Sequence, residues 1–317
     1  ICGGDGTIQG TINTAATGDT INVPPGTYAE TISIDKSLSL MCDPGAIINA
    51  SGLSSGIGIN AANVIVDGCE IVGNDQTTSG VTIGPGSSYV TITNNKIHGM
   101  QLSNPANMSP GSYGILVWGA GVNNIILDNN EIYDVLLFGI DIAYDLEAGT
   151  DFVSNVTVTN NHIHDLEYYV GSVSSLAEII IGIDTSLEFD STWWASTSGL
   201  DLDEYHQVSV GIIGQLVNAI SITGNQLDNV SIGSITVVSD GDVSYNSYSN
   251  VLFPSTNIYF ASTSESMAID NSGCSITSPD IDISNCGVDL SDYIPPNFPS
   301  TFAMKVYHNL SDDEISP

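Results

Sequence analysis

A short pattern recurs along this chain and restricts the folds open to it. The pattern is apolar-x-apolar-x-x-Asn-x-apolar, where x is any residue. Its copies are VIVDGCEI (64–71), VTITNNKI (90–97), ILDNNEI (126–132), VTVTNNHI (156–163), SITGNQL (221–227) and VSYNSY (243–248). Alternation of this kind predicts short strands with one buried face, separated by turns.

A second pattern, glycine followed by apolar-x-apolar, alternates with the first. It occurs as GIGI (56–59), GVTI (80–83), GILV (114–117), GIDI (139–142), GIDT (182–185) and, with one inserted serine, GSITV (233–237). Two strand types that alternate without helical segments between them indicate a solenoid, in which each coil buries its apolar side against its neighbours. We therefore predict an all-β fold, a parallel β-helix.

Asparagine returns at the same turn position of the repeat. Asparagine tolerates left-handed backbone and can bond to the backbone or to an identical neighbour. We expect one column of stacked side chains at a corner of the solenoid, with Cys69 replacing asparagine once. The column consists of Asn95, Asn130, Asn161, Asn225 and Asn246.

The opening stretch TIQGTINTAATGDTINVPPGTYAETISIDKSLSL (7–40) resembles the N-terminal entry of the right-handed parallel β-helix (pectin-lyase-like) superfamily. The resemblance implies a short capping helix at about Ile8–Ala16 and a right-handed solenoid over 1–262. The repeat spacing doubles at about 166–218, where we expect an excursion from the solenoid. Residues 263–317 lose the pattern and are predicted to form an irregular C-terminal cap or docking arm. For activity the superfamily is nearly silent, because it holds enzymes, adhesins and structural proteins alike.

Charge excludes several classes of partner. The chain carries 36 Asp and Glu against three lysines (Lys36, Lys96 and Lys305) and has no arginine, for a formal charge of −33. Nucleic acid and anionic lipid both need a basic surface, so neither is expected as a partner. No apolar run reaches the roughly 20 residues of a membrane span. The acidic composition suits a salt-adapted, for example archaeal, source and favours divalent cations over any obligatory cofactor.

Cysteines and glycosylation sequons together favour a secreted or cell-surface protein, and we interpret the start at Ile1-Cys2 as that of a mature form. Cys274 and Cys286 enclose a short loop and are the preferred disulfide, while Cys2, Cys42 and Cys69 leave a second bridge and one free thiol open. The sequons lie at Asn49, Asn107, Asn155, Asn229 and Asn309.

The histidines of NVTVTNNHIHDL (155–166) have two interpretations. His162 and His164 flank the inward Ile163, so both point outward. Aligned copies place Lys96 and Glu131 in the column of His162, and His98 and Tyr133 in the column of His164. This predicts a surface column of alternating charge. The alternative is a zinc site of His162, His164 and Glu131.

Carboxylates supply the other candidate sites. Asp141 and Asp184 occupy equivalent outward positions of the glycine pattern, and on adjacent coils they would stack at about 5 Å, the spacing of a retaining glycosidase. A calcium site of Asp141, Asp145, Glu147 and Asp184 is a second interpretation. Lyases and esterases of the superfamily that the chain resembles use arginine or lysine in their active sites. The chain has no arginine, which argues against lyase or esterase activity.

An aromatic cluster within the predicted excursion, Trp193, Trp194 and Tyr205, is a candidate interface or glycan contact. Weighing these features, we expect a self-assembling structural protein, a subunit of a surface layer, sheath, filament or appendage, rather than an enzyme. The alternative is a carbohydrate-active enzyme or glycan-binding tailspike that uses Asp141 and Asp184.

Overall fold

The computed structural model describes residues 6–100, 112–143, 153–166, 169–170, 207–230, 232–249, 253–262 and 302–309. Short strands wind into a right-handed parallel β-helix, as the repeat and the family resemblance predicted, and its strands form three faces. Strands are numbered in chain order. The only helix within the described ranges, α1 (Ile8–Thr14), lies at the N-terminal end.

The first face of the solenoid consists of the strands that precede the asparagine turn of the repeat. Its strands are β1 (Thr20–Val23), β4 (Leu38–Cys42), β7 (Ala62–Asp67), β10 (Ser88–Thr93), β13 (Asn123–Asp128), β16 (Ser154–Thr159) and the second half of β20 (Val210–Thr223). Inward residues are in register from coil to coil: Val90 pairs with Val64 on one side and with Ile125 on the other. All three are fully buried. Each coil therefore completes the core of its neighbour.

The second face is an eight-stranded parallel sheet that follows the asparagine turn. Its strands are β2 (Gly26–Tyr28), β5 (Ala46–Asn49), β8 (Glu70–Val72), β11 (Lys96–Met100), β14 (Glu131–Val135), β17 (His162–His164), β21 (Gln226–Asp228) and β23 (Ser247–Ser249). In β8, β11, β14 and β17 alternate residues face outward, so two outward rows flank one row of buried residues.

The third face carries the glycine pattern. Its strands are β3 (Ile32–Ile34), β6 (Ser55–Ile59), β9 (Ser79–Ile83), β12 (Ser112–Trp118), β15 (Leu137–Ala143) and the first half of β20. Glycine is required at one corner because the inward side chain of the second face reaches it. A Cβ on Gly139 would lie 2.6 Å from the Gly211 carbonyl oxygen and 2.7 Å from Ile163 Cγ2.

Register corrects the sequence analysis at this corner. The glycine that continues the column after Gly139 is Gly211, in VGIIG (210–214), and β20 pairs in parallel with β15 from Val210 onward. The solenoid thus resumes before residue 218, where the excursion was expected to end. The GIDT copy (182–185) lies outside the described residues. At the base of the excursion, β18 (Tyr169–Val170) and β19 (Gln207–Val208) pair antiparallel.

The asparagine column is confirmed. From Asn95 to Asn246 the side-chain amide of each asparagine donates to Oδ1 of the next at 2.9–3.1 Å, and the same oxygen accepts the backbone N–H of the first. The Cys69 backbone N–H donates to Asn95 Oδ1 at 2.9 Å, so the replaced position still joins the column. The preceding residues Asn94, Asn129 and Asn160 take the left-handed backbone, with φ of 53–56°.

The N-terminal helix seals the first coil through two buried residues, Ile8 and Ile12. Glu30 accepts the N–H groups of Ile8 and Gln9, both at 2.9 Å, and Lys36 Nζ donates to the Ile12 carbonyl at 3.1 Å. These charges satisfy opposite ends of the helix dipole. The capping helix expected at Ile8–Ala16 is therefore present.

At the C-terminal end, β22 (Ile232–Ser244) and β24 (Phe253–Ser262) continue the parallel stack. There, β25 (Phe302–Asn309) pairs antiparallel with β24. An antiparallel strand on the last parallel one occupies a hydrogen-bonding edge that would otherwise template another chain. The division at residue 262 remains a prediction.

Candidate functional site

The second face brings Lys96 and three of the five histidines into two adjacent rows. One row is Glu70, Lys96, Glu131, His162 and Gln226, and the other is Val72, His98, Tyr133, His164 and Asp228. Both rows match the columns expected from the aligned repeats. The histidines point outward from the coil because they flank the fully buried Ile163.

Rings in the second row stack along the solenoid. The Tyr133 ring lies between His98 and His164, with centroid distances of 4.7 and 5.1 Å and interplanar angles of 7° and 11°. Lys96 Nζ lies 5.1 Å from the Tyr133 centroid. Interaction with Tyr133 and with the Glu131 charge raises the pKa of Lys96, so its ammonium stays charged. Parallel stacking fixes the planes of these rings on the sheet.

Glu131, His162 and His164 converge at the centre of this face. One ligand atom from each lies within 4.8 Å of the others. The His164 Nε2 atom is 3.5 Å from Glu131 Oε1, and within the described residues it is one of two buried side-chain polar atoms without a hydrogen-bond partner. The other carboxylate oxygen of Glu131 lies 3.6 Å from Lys96 Nζ.

A further carboxylate holds each of the two imidazoles. Asp165 Oδ2 is 2.8 Å from His164 Nδ1, and Asp228 Oδ2 is 3.0 Å from His162 Nε2. The hydrogen bonds from His164 and from Asn229 lower the pKa of Asp165, which keeps it an ionised acceptor. Neither aspartate was predicted as part of a site, although Asp228 could have been found by aligning the QLD copy (226–228) with HIH.

Asp141 differs from its expected setting. It lies between the inward Ile140 and Ile142, on the outward side of β15, as predicted. It is nevertheless only 4% exposed, so its outward position is covered rather than open to solvent. Burial raises the pKa of Asp141 to about 8, and its Oδ1 atom has no hydrogen-bond partner. A carboxyl group in this state is largely protonated at neutral pH.

The neighbours of Asp141 across the sheet are Leu116 and Ile213. The position beside it on the next coil is therefore apolar rather than Asp184. Asp184 itself, with Asp145 and Glu147, lies outside the described residues, as does the aromatic cluster of Trp193, Trp194 and Tyr205. The expectation that Asp141 and Asp184 stack on adjacent coils is therefore wrong, because Leu116 and Ile213 occupy the two neighbouring positions. The calcium interpretation remains a prediction.

One disulfide is present among the described cysteines, between Cys42 and Cys69. It joins consecutive coils, from the end of β4 to the corner position of Cys69, 27 residues later in the sequence. The sequence alone left this pairing open. The preferred pair, Cys274 and Cys286, lies outside the described residues, and so does Cys2.

The predicted glycosylation sites fall in different settings. Asn155 and Asn229 are exposed, whereas Asn49 is half-buried and accepts the Ser51 N–H at 3.0 Å. Asn309 ends β25, and Asn107 lies outside the described residues. Glycosylation at any of them remains a prediction. Among the described residues, no helix has the length and apolar character needed to cross a membrane.

Comparison with known proteins agrees with this architecture. Residues 47–185 match the family model "Right handed beta helix region". Over 114 residues, 35% of this chain, the sequence is 32% identical to the probable ABC transporter binding protein NosD of Stutzerimonas stutzeri. That match spans 23% of the length of NosD. The resemblance to right-handed β-helix proteins expected from the sequence is thereby confirmed.

Among solved structures, a pectin methylesterase from Yersinia enterocolitica is similar to this chain. The superposition has a TM-score of 0.39 and 12% sequence identity, and it covers 78% of this chain and 90% of the other.

Proposed function

We propose that this right-handed β-helix protein is an extracytoplasmic structural subunit, whose stacked coils form a rigid rod within a surface layer, sheath, filament or appendage. The observation that carries the proposal is the continuity of the stack. The asparagine column passes through Asn95, Asn130, Asn161, Asn225 and Asn246, with the same hydrogen bonds at each step. Such a column resists bending and twisting between coils, as an extended scaffold requires.

The Cys42–Cys69 disulfide supports an extracytoplasmic setting. Disulfides persist in oxidising compartments and are rare in the cytosol of most cells. The similarity to NosD, whose name describes a probable ABC transporter binding protein, is compatible with a role in binding rather than in chemistry.

Charge determines how such a subunit would assemble. With 36 acidic residues against three lysines, two copies repel each other unless cations lie between them. We therefore expect assembly to depend on divalent cations and to reverse when they are removed.

Negative-stain imaging and analytical ultracentrifugation of the full chain test this proposal. We expect ordered assemblies in millimolar Ca²⁺ and dispersal to small species after addition of EDTA, with no release of sugar from a panel of neutral and acidic polysaccharides. A chain that stays monomeric in all cation conditions would overturn the proposal.

A second candidate function rests on Asp141. A buried carboxylic acid with a raised pKa is the form in which glycosidases hold their general acid. The same polysaccharide panel tests this candidate: release of sugar by the wild-type chain and its loss in Asp141→Asn would favour hydrolysis over a structural role.

A further inference from the structure

We propose that Glu131, His162 and His164 form a binding site for a divalent first-row transition metal, with Zn²⁺ as the representative ion. This inference goes beyond the structural role and does not depend on it. The site lies on β14 and β17, adjacent strands of the second face, so its ligands project from a rigid sheet rather than from a loop.

The donor set favours this class of metal. Two imidazoles and one carboxylate are typical of sites for Zn²⁺ and related borderline ions, whereas Ca²⁺ and Mg²⁺ prefer oxygen ligands alone. Three protein ligands leave a fourth position for water or an external ligand.

The distances are close to those that a metal needs. Ligand atoms about 2.1 Å from a tetrahedral zinc lie about 3.4 Å from one another. His164 Nε2 and Glu131 Oε1 are already 3.5 Å apart. One ring nitrogen of His162 lies within 4.8 Å of a ligand atom of Glu131 and of one of His164, and the His162 side chain is 40% exposed. A shift of at most about 1.4 Å by this exposed ring brings its nitrogen to the ligand spacing of a tetrahedral zinc.

The tautomer of His164 is set for coordination. An ionised carboxylate only accepts hydrogen bonds, so the contact with Asp165 places the proton on His164 Nδ1. In the neutral ring, the lone pair then lies on Nε2, the buried atom that has no hydrogen-bond partner. Metal-bound histidines are usually oriented by a carboxylate in this way. The pairing of His162 with Asp228 gives the second imidazole the same kind of support.

The surrounding charge attracts a cation. Glu131, Asp165 and Asp228 bring three carboxylates to the site, against the single ammonium of Lys96. Lys96 contacts Oε2 of Glu131, whereas Oε1 faces His164, so the lysine does not occupy the ligand atom. Its charge nevertheless lies near the ion, and we expect Lys96→Gln to tighten binding.

Isothermal titration with ZnCl₂ tests the site on the full chain, in a large excess of Ca²⁺ and Mg²⁺ that occupies the many surface carboxylates. We expect one saturable site per wild-type chain, its loss in the double variant His162→Gln/His164→Gln, and about 10–100-fold weaker binding in Asp165→Asn. Visible absorption of bound Co²⁺ should report tetrahedral nitrogen and oxygen ligands in the wild type and disappear with the double variant.

His98→Gln is the matched control. His98 lies on the same face, stacks on Tyr133 and contacts Glu70 at 3.1 Å, but it is one coil beyond Tyr133 and outside the proposed ligand set. It should bind Zn²⁺ as the wild type does. If the double variant fails to fold, the half-exposed Glu131→Gln variant replaces it. A wild-type chain with no saturable site, or folded ligand variants that bind equally well, would overturn the proposal.

Discussion

At the scale of single residues, Asp141 shows that a side chain can point outward from a strand without being exposed to solvent. Its position between Ile140 and Ile142 identifies the outward side of a strand, and the sequence predicted that side correctly. Whether the outward side meets water depends on what covers it, and repeat spacing contains no such information. The same limit applies at the next coil, where Ile213 lies in register with Asp141 and is fully buried.

Asp141 should make stability depend on pH. Its pKa is about 8 in the folded chain, against about 3.9 when unfolded. Between these values the folded state holds the proton more tightly, so the free energy of unfolding falls as pH rises from about 4 to about 8. Asp141→Asn removes this fall. We expect the variant to be more stable than the wild type by a few kcal/mol at pH 8 and similar to it near pH 4, since one pKa unit corresponds to about 1.4 kcal/mol.

Urea unfolding at several pH values measures this difference. Asp75→Asn, at an exposed position, is the control and should follow the wild type throughout. A stability difference between Asp141→Asn and the wild type that does not change with pH would contradict the burial of a carboxyl group at this position.

At the scale of strands, the recurring glycine was evident in the sequence, but the steric reason for it came only from the structure. The sequence showed glycine near the start of the third-face strands from β6 onward, and the structure explains it by the approach of a second-face side chain and a neighbouring carbonyl. The copy in VGIIG (210–214) was missed, because Gly214 stands where the pattern has an apolar residue, and only its pairing with β15 identifies it.

Two glycines in β6 provide a direct test of this cause. A Cβ on Gly56 would lie 2.6 Å from both the Gly80 carbonyl oxygen and Ile71 Cγ2, whereas the nearest atom to a Cβ on Gly58 is 3.9 Å away. We expect Gly56→Ala to lower the free energy of unfolding by about 1–3 kcal/mol, as overpacking does. Gly58→Ala should leave it unchanged or raise it slightly. Equal effects in thermal or urea melts would exclude steric crowding as the reason for the glycine.

At the scale of the whole molecule, the asparagine column was the most predictable feature, because it repeats with the coil. The histidine rows were predictable for the same reason. The contact of His164 with Asp165 and the 3.5 Å approach to Glu131 depend on side-chain rotamers, which no repeat specifies. The Cys42–Cys69 bridge did leave a signal, since Cys69 occupies an asparagine position and the two cysteines are one coil apart.

Breaking the column near its middle should weaken the stack. Asn161→Ala leaves the buried Asn130 amide and the Asn130 backbone N–H without their shared acceptor. Each unsatisfied buried group costs about 1–3 kcal/mol, so we expect a loss of about 2–5 kcal/mol in the free energy of unfolding.

Asn160→Gly is the control for that variant. Asn160 has φ of 54°, which glycine adopts without strain, and its side chain bonds only at the surface, to Asp128. It should cost much less than Asn161→Ala. Similar losses for the two variants in urea melts would show that turn conformation, rather than the column, stabilises the coils.

The geometry of the asparagine column does not depend on the number of residues between successive asparagines. Successive asparagines are separated by 35, 31, 64 and 21 residues, yet each contacts the next with the same hydrogen bonds. The described strands keep the same register across these unequal intervals, so the cross-section of the stack does not depend on the length of chain between its strands. A solenoid built this way can gain segments at its corners, or whole coils that lengthen it by about 4.8 Å each, without redesign of the rest. Loops that connect the strands can therefore change in sequence and length while the stacked strands stay the same.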